Sequence, residues 1–302
     1  MISLYFIGLA LRGFYLKQIS IAHSPDADDI FMYYAIKFGW VQPQGVEFTN
    51  IALDIETLNV EALKGTYDIS AISFGMYPKI KDQYALLKTA VSFGEGYGPK
   101  IMKLKGKTLK PHMKVALSGA NTTNALLFKI AYPKAKLIYM DFLDIEEAVT
   151  SGAVDAGVLI HESILTYNDK LEVEKELWDI WLELSGGGLP LPLGGMALRR
   201  SIPLTSAISY ENTLIDAVRV ADNNRKTLAE MLVARDLVRI DGATLDKYLD
   251  LYANADSVLL SDLQYDAIDK LFEIGYKHGF FDELIKSRDY IIPDEYNKAR
   301  YS

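Results

Sequence analysis

The chain has 302 residues, half of them hydrophobic and 24% charged, which is the composition of a folded protein with room for sizeable cores and not of a disordered one. Lys and Arg total 32 against 40 Asp and Glu, a formal charge of −8, so the basic footprint of a nucleic-acid binder is missing and docking on an anionic membrane is disfavoured. The chain has no cysteine, which excludes disulfides, thiolate metal sites, cysteine nucleophiles and a lipid-anchored cysteine.

The first feature is an apolar run from Ile2 to Leu11, too short to span a bilayer. Only Met1 precedes it and Arg12-Gly13-Phe14-Tyr15 follows, so it lacks the basic region and small-residue cleavage site of a secretory signal. Residues 1–17 are therefore expected to be an extension, and the protein to be cytoplasmic. Ile19 to Ala22 reads as a strand ending in Ser24-Pro25-Asp26-Ala27-Asp28-Asp29, a turn that opens a helix through Phe31, Tyr34 and Phe38. Val46 to Ile51 is the next strand. A helix through Leu58, Ala62 and Leu63 stops at Gly65, Asp68 to Ser73 is a strand, and a short helix follows around Tyr77 to Ile80. Lys114 to Leu117, Leu137 to Met140 and Asp155 to Ile160 read as strands, separated by helices over Thr122 to Tyr132 and Asp144 to Thr150. Strands alternating with helices imply parallel β-α-β units. The cluster from Gly186 to Gly195, with Pro190 and Pro192, is expected to be irregular, a hinge or a cleft wall. The last third is helical: Tyr210 to Leu237 is helix-forming throughout, and Ser261-Asp262-Leu263-Gln264 is a capping box opening a helix to Lys277.

This order predicts a two-lobed α/β protein. Residues 18–95 and 196–302 form one lobe and 96–195 the other, with crossings at Gly94-Glu95-Gly96-Tyr97-Gly98-Pro99 and at the proline-glycine cluster. Ligands of open α/β sheets gather at the carboxyl ends of strands, where each candidate motif lies. In Gly157-Val158-Leu159-Ile160-His161-Glu162 a strand ends at an imidazole, which suits a general base in a cleft; the competing reading is a structural hydrogen bond at a strand end. Glu162 either orients that ring or starts a helix. Ser118-Gly119-Ala120-Asn121-Thr122-Thr123 opens a helix whose free N–H groups suit a carboxylate or phosphate, while plain capping by Asn121 or Thr122 explains the same residues. The segment Ser70-Ala71-Ile72-Ser73 lets a ligand reach backbone groups, with a cap by Ser73 as the alternative. The acids Asp26, Asp28 and Asp29 invite a metal, but a helix dipole favours acids there unaided. Ser24 is free to face the cleft, and His23 reads as a packed strand residue. The four histidines, His23, His112, His161 and His278, have no metal-pair spacing, so no metal is expected.

Three segments, Ser24-Pro25-Asp26-Ala27-Asp28-Asp29-Ile30-Phe31, Asp155-Ala156-Gly157-Val158-Leu159-Ile160-His161-Glu162 and Gly188-Leu189-Pro190-Leu191-Pro192-Leu193-Gly194-Gly195, together resemble the 1,4-dihydroxy-6-naphthoate synthase family of the futalosine route to menaquinone. The resemblance spans roughly residues 18 to 290. It implies the type II periplasmic-binding-protein fold and a carbon–carbon lyase that cleaves cyclic dehypoxanthinyl futalosine to dihydroxynaphthoate and a sugar-derived fragment. It further implies that His161 is the proton acceptor, that Ala71, Ile72, Ser73, Thr122 and Thr123 contact a small carboxylated substrate, and that no metal or organic cofactor takes part. Two rivals stand beside it. One is a solute-binding protein for an anionic metabolite on the same fold. The other is chorismate dehydratase, a family that typically carries Gly-Asp in place of His161-Glu162.

Overall fold

A computed structural model describes residues 16–296, so the apolar run Ile2 to Leu11 lies outside the described residues. In chain order the elements are β1 (Lys17–His23), α1 (Ala27–Lys37), β2 (Val46–Ala52), α2 (Ile55–Lys64), β3 (Ile69–Ser73), a 3-10 segment (Phe74–Lys79), β4 (Tyr84–Leu86), β5 (Ser92–Gly94), β6 (Lys100–Leu104) and β7 (Lys114–Leu117). They continue with α3 (Thr123–Ala131), β8 (Lys136–Tyr139), α4 (Ile145–Thr150), β9 (Ala156–Leu159), β10 (Leu171–Glu176), α5 (Leu177–Ser185), β11 (Leu191–Arg199), α6 (Leu204–Asn223), α7 (Arg225–Ala234), α8 (Gly242–Tyr252) and α9 (Asp262–Lys277).

Two sheets result. The first runs β2-β1-β3-β11-β4 with β5 also on β11, and the second runs β10-β6-β9-β7-β8. In the first, β1 lies parallel to β2 and β3, and β11 returns antiparallel. In the second, β7 lies parallel to β8 and β9, while β6 is antiparallel to β9. All five residues of β3 are buried, as a strand covered on both faces requires. The parallel strands β1, β3, β7 and β9 end in the segments that carry the candidate motifs. Local signals place the helices. The Asp54 side chain accepts from the Thr57 N–H at 3.0 Å to open α2, and Gly65, at φ +68°, ends it in the left-handed region. The Ser261–Gln264 capping box opens α9 as the sequence predicts.

Several expectations are corrected. Gly186, Gly187 and Gly188 are indeed irregular, all with positive φ, but Leu191–Arg199 is a nine-residue strand in the first sheet. Pro192 fits there because at its position β11 pairs only with β5, beside a register shift between Pro192 and Gly194. Gly194 and Gly195 serve close approach: a Cβ would sit 2.9 Å from the Ile72 carbonyl oxygen at the first and 2.8 Å from the Phe74 ring at the second. The helix expected over Tyr77 to Ile80 is the 3-10 segment, with Pro78 inside it. The continuous helix expected over Tyr210 to Leu237 breaks at Asn224 between α6 and α7. Lys17 already belongs to β1. Strands β4, β5, β6 and β10 and helix α5 are elements that the sequence reading did not assign.

The two sheets share an apolar core. One buried cluster runs from Ile72, Phe74 and Tyr77 through Ile268 and Phe272 of α9 to Trp181 of α5 and to Val115 and Val158 of the second sheet. Gly157 in β9 belongs to that packing, since a Cβ there would lie 2.4 Å from Ile145 Cγ2 and 2.9 Å from Val149 Cγ2 of α4. Gly157→Ala is therefore expected to lower stability by about 1–3 kcal/mol through overpacking, read as a lower midpoint in denaturant at unchanged slope. An unchanged midpoint would show that α4 moves aside freely.

Candidate functional site

A cleft with about 730 Å³ of atom-free space, open solvent included, lies where the carboxyl ends of the strands converge. His161, Ala71, Ile72, Ser73, Thr122 and Thr123 all line it. Residues picked from segments about 40 to 90 positions apart thus meet on one surface.

His161 follows β9 and sits at φ +53°, in the left-handed region that a side chain with a Cβ rarely adopts. Its Nε2 lies 3.1 Å from Asp26 Oδ2, and its ring meets Phe142 edge-on at 5.1 Å between centroids. Asp26 is almost fully buried, and its other oxygen accepts from the Arg239 guanidinium. Arg239 also reaches Glu162 Oε2 at 3.1 Å and lies over the Phe142 ring. Glu162 Oε1 accepts from the Ala27 N–H at 3.2 Å. Glu162 therefore binds the start of α1 and Arg239; Asp26 is the group that touches the imidazole.

Elsewhere along the cleft, Ser73 is fixed by the fully buried Asn59, whose Oδ1 accepts from the Ser73 N–H at 2.9 Å and whose Nδ2 donates to Ser73 Oγ at 3.0 Å. Ser73 thus accepts through its hydroxyl oxygen and keeps its own proton for a ligand. The threonines behave differently. Thr122 Oγ1 accepts from the Ala125 N–H at 3.1 Å and caps α3. Thr123 Oγ1 accepts from the Gly75 N–H at 2.9 Å and donates to the Leu193 carbonyl at 2.7 Å. Their side chains are engaged in the protein, and the cleft receives the N-terminal end of α3, where Asn124 also lines it. The first N–H groups of a helix have no intrahelical acceptor.

The three acids of the first turn do not converge. Asp26 faces His161 and Arg239, Asp28 accepts from Ser92 Oγ at 3.0 Å and pairs with the Tyr248 hydroxyl at 3.2 Å, and Asp29 accepts from the Ser24 N–H at 2.7 Å. Among the described residues no group of three or more His, Asp or Glu is placed to hold a metal ion. Ser24, Asp28 and Asp29 line the cleft. Burial, and then the charges of Asp29 and Asp26, push the Asp28 carboxyl up to about 7, against the pull of His161 and the Ser92 hydroxyl. Burial likewise raises Asp29, to about 6, against its bond from Ser24. His23 packs as expected, buried against Tyr33 with Nδ1 2.6 Å from the Ser24 carbonyl, and burial lowers its basicity. The sequence reading missed Asn59, Arg239, Tyr248 and the specific part of Asp26. Asn59 and Arg239 sit in ordinary helical or loop context, and only the fold brings them here.

A carboxyl whose pKa is higher folded than unfolded binds its proton more tightly in the native state. The native state then gains stability as pH falls through about 7 toward the unfolded value near ~4, and loses it on the way up. Asp28→Asn removes that dependence. Its melting temperature relative to wild type is expected to be higher at about pH 8 than at about pH 5. A difference constant across that range would show Asp28 ionised throughout.

Comparisons with known proteins identify the family and the fold. The family model described as menaquinone biosynthesis matches residues 19–277. A 1,4-dihydroxy-6-naphthoate synthase of Streptomyces coelicolor is 29% identical over 279 residues, covering 88% of this chain and 95% of its own. The crystal structure of protein AF1704 from Archaeoglobus fulgidus superposes with a TM-score of 0.80 at 33% identity, over 87% of this chain and 98% of its own. The periplasmic aliphatic sulphonate binding protein SsuA from Escherichia coli, at 13% identity and a TM-score of 0.61 over 91% of this chain and 97% of its own, shares the fold. The chain has the two-lobed type II periplasmic-binding-protein-like architecture, and it belongs to the menaquinone biosynthesis family.

Proposed function

We propose that the chain is a carbon–carbon lyase that converts cyclic dehypoxanthinyl futalosine to 1,4-dihydroxy-6-naphthoate, with His161 as the proton acceptor. The observation that carries this reading is an imidazole held at φ +53° on the wall of a cleft, against a buried carboxylate. The substrate carries a benzoate-type carboxylate. The N-terminal end of α3 and the free proton of Ser73 suit such a group, because helix-start N–H groups bind anions and the dipole favours them. Ala71 and Ile72 supply backbone and a small apolar surface beside it. With the carboxylate held there, the sugar-derived ring reaches toward His161. The imidazole takes a proton from carbon, and the electrons left behind drive the elimination. Carbon acids are weak, so the enolate-like charge needs donors aimed at it; Tyr248 and a protonated Asp28 on the same cleft are suited to that task. Closing the lobe of the second sheet onto the lobe of the first would exclude water and fix the reacting geometry. In this reading the protein works in the cytoplasm on a small carboxylate, without nucleic acid, membrane or cofactor. Among the described residues no helix is long and apolar enough to cross a membrane.

The test is to incubate the purified protein separately with cyclic dehypoxanthinyl futalosine and with chorismate, following products by chromatography. Naphthoate formation from the first alone is expected. Turnover of chorismate would assign the dehydratase activity, and binding without turnover would assign a solute-binding protein. His161→Gln is expected to lower turnover by about 10²–10⁴-fold, with product affinity by calorimetry within about threefold of wild type. Near wild-type turnover would remove His161 from the mechanism. Thr122→Ala is expected to cost about 1 kcal/mol of stability as a lost cap and to leave product affinity unchanged. A weaker product complex in that variant would show that the hydroxyl itself reaches the ligand.

A further inference from the structure

We propose that Asp26 is a positioning residue for His161, supplied from the opposite side of the cleft, and that the base is set in its working tautomer only when the two sides meet. The proposal rests on His161 being the base and goes beyond it by naming what orients it. Asp26 stands in the turn between β1 and α1 on the first sheet, and His161 follows β9 of the second. The contact between Asp26 Oδ2 and His161 Nε2 at 3.1 Å therefore spans the cleft. Imidazole is a donor at one nitrogen and an acceptor at the other, and a carboxylate can only accept. A carboxylate oxygen 3.1 Å from Nε2 thus favours the form protonated there. Nδ1, for which the described residues provide no hydrogen-bond partner, keeps its lone pair for the substrate proton. Once Nδ1 takes that proton, the imidazolium lies against a carboxylate and is stabilised there.

The surrounding groups hold this pair in place. Arg239, between α7 and α8, binds the second oxygen of Asp26, so the buried carboxylate does not depend on His161 alone. The same guanidinium reaches across to Glu162, which accepts from the Ala27 N–H beside Asp26. Phe142 packs edge-to-face with the imidazole and carries the guanidinium over its ring, at 5.1 Å in each case. Separating the two sides would part Asp26 from His161 and break the bonds from Arg239 to Glu162 and from Ala27 to Glu162 together. His161 would then lose the partner that fixes its tautomer, and the left-handed backbone would lose a constraint that holds it. An open cleft therefore carries an unset base, and closure over substrate sets it.

The experiment compares wild type with Asp26→Asn, His161→Gln and the double variant, each checked for folding by circular dichroism. Turnover is measured alongside long-range proton–nitrogen NMR of labelled histidine, with the His161 signals assigned by their loss in His161→Gln. Wild type should show His161 protonated at Nε2 and bare at Nδ1. Asp26→Asn should populate the other tautomer and lower kcat roughly 10²–10⁴-fold, with KM changed far less. The double variant should be no slower than His161→Gln alone, because Asp26 acts only through the ring. A kcat within about threefold of wild type, an unchanged tautomer or multiplicative losses in the double variant would each overturn the proposal. If His161→Gln itself stays active, the assignment of the base fails, and the NMR arm still reports whether Asp26 sets the tautomer.

Discussion

The cleft is held together by polar groups whose partners lie on its other side. Asn121, after β7 of the second sheet, gives its N–H and its side-chain amide to the Glu56 carboxylate of α2 at 2.9 and 2.8 Å. Asn59 of α2 donates to the Asn121 carbonyl as well as to Ser73. Thr123 of α3 ties the 3-10 segment to β11. Asp26 and Arg239 meet His161 and Glu162 at the far end. Each such bond contributes only about 0.5–1.5 kcal/mol net, but leaving one of these buried partners bare costs about 1–3 kcal/mol. The sides therefore favour meeting as a set. Two glycines permit the approach: a Cβ on Gly119 would overlap the Glu56 side chain at 2.2 Å, and one on Gly75 would lie 2.8 Å from the Thr123 Cα.

The proposed chemistry depends on that closure. One wall, on the first sheet, offers Ser73 and a carboxyl that burial makes easier to protonate, and the other, on the second, offers the start of α3 and an imidazole. Neither wall is a site alone. The shared core through α9 keeps the two sheets in register, and the cross-cleft bonds set the final approach. Burial that makes Asp28 easier to protonate also removes stability at neutral pH, a cost that a purely structural carboxyl on the surface would not carry.

Much of this was legible in the residues. The alternation of strand and helix up to Ile160, the Gly65 stop and the Ser261 capping box were read from periodicity and turn chemistry, and the six site residues named from motifs do line one cleft. The failures have physical causes. Leu191–Arg199 looked irregular because proline and glycine usually break strands; here Pro192 sits where only one neighbour pairs and the glycines meet a carbonyl and a ring. Strands β4 and β5, at three residues each, are too short to show a period. Asp26 read as one of three first-turn acids, since nothing local distinguishes a carboxylate that will face a histidine 135 positions away from one that will face Ser92. The threonine pair admits both a capping reading and a substrate-contact reading from sequence, and only the fold reveals that both hydroxyls are already bonded.

The most direct test of the central claim is a crystal structure of the chain with 1,4-dihydroxy-6-naphthoate bound. The predicted result is a closed cleft with the carboxylate at the N-terminal end of α3, within hydrogen-bond reach of Ser73, and the ring system extending toward His161 while Asp26 stays on Nε2. A carboxylate bound elsewhere, or a ligand with His161 turned away from it and from Asp26, would contradict the claim.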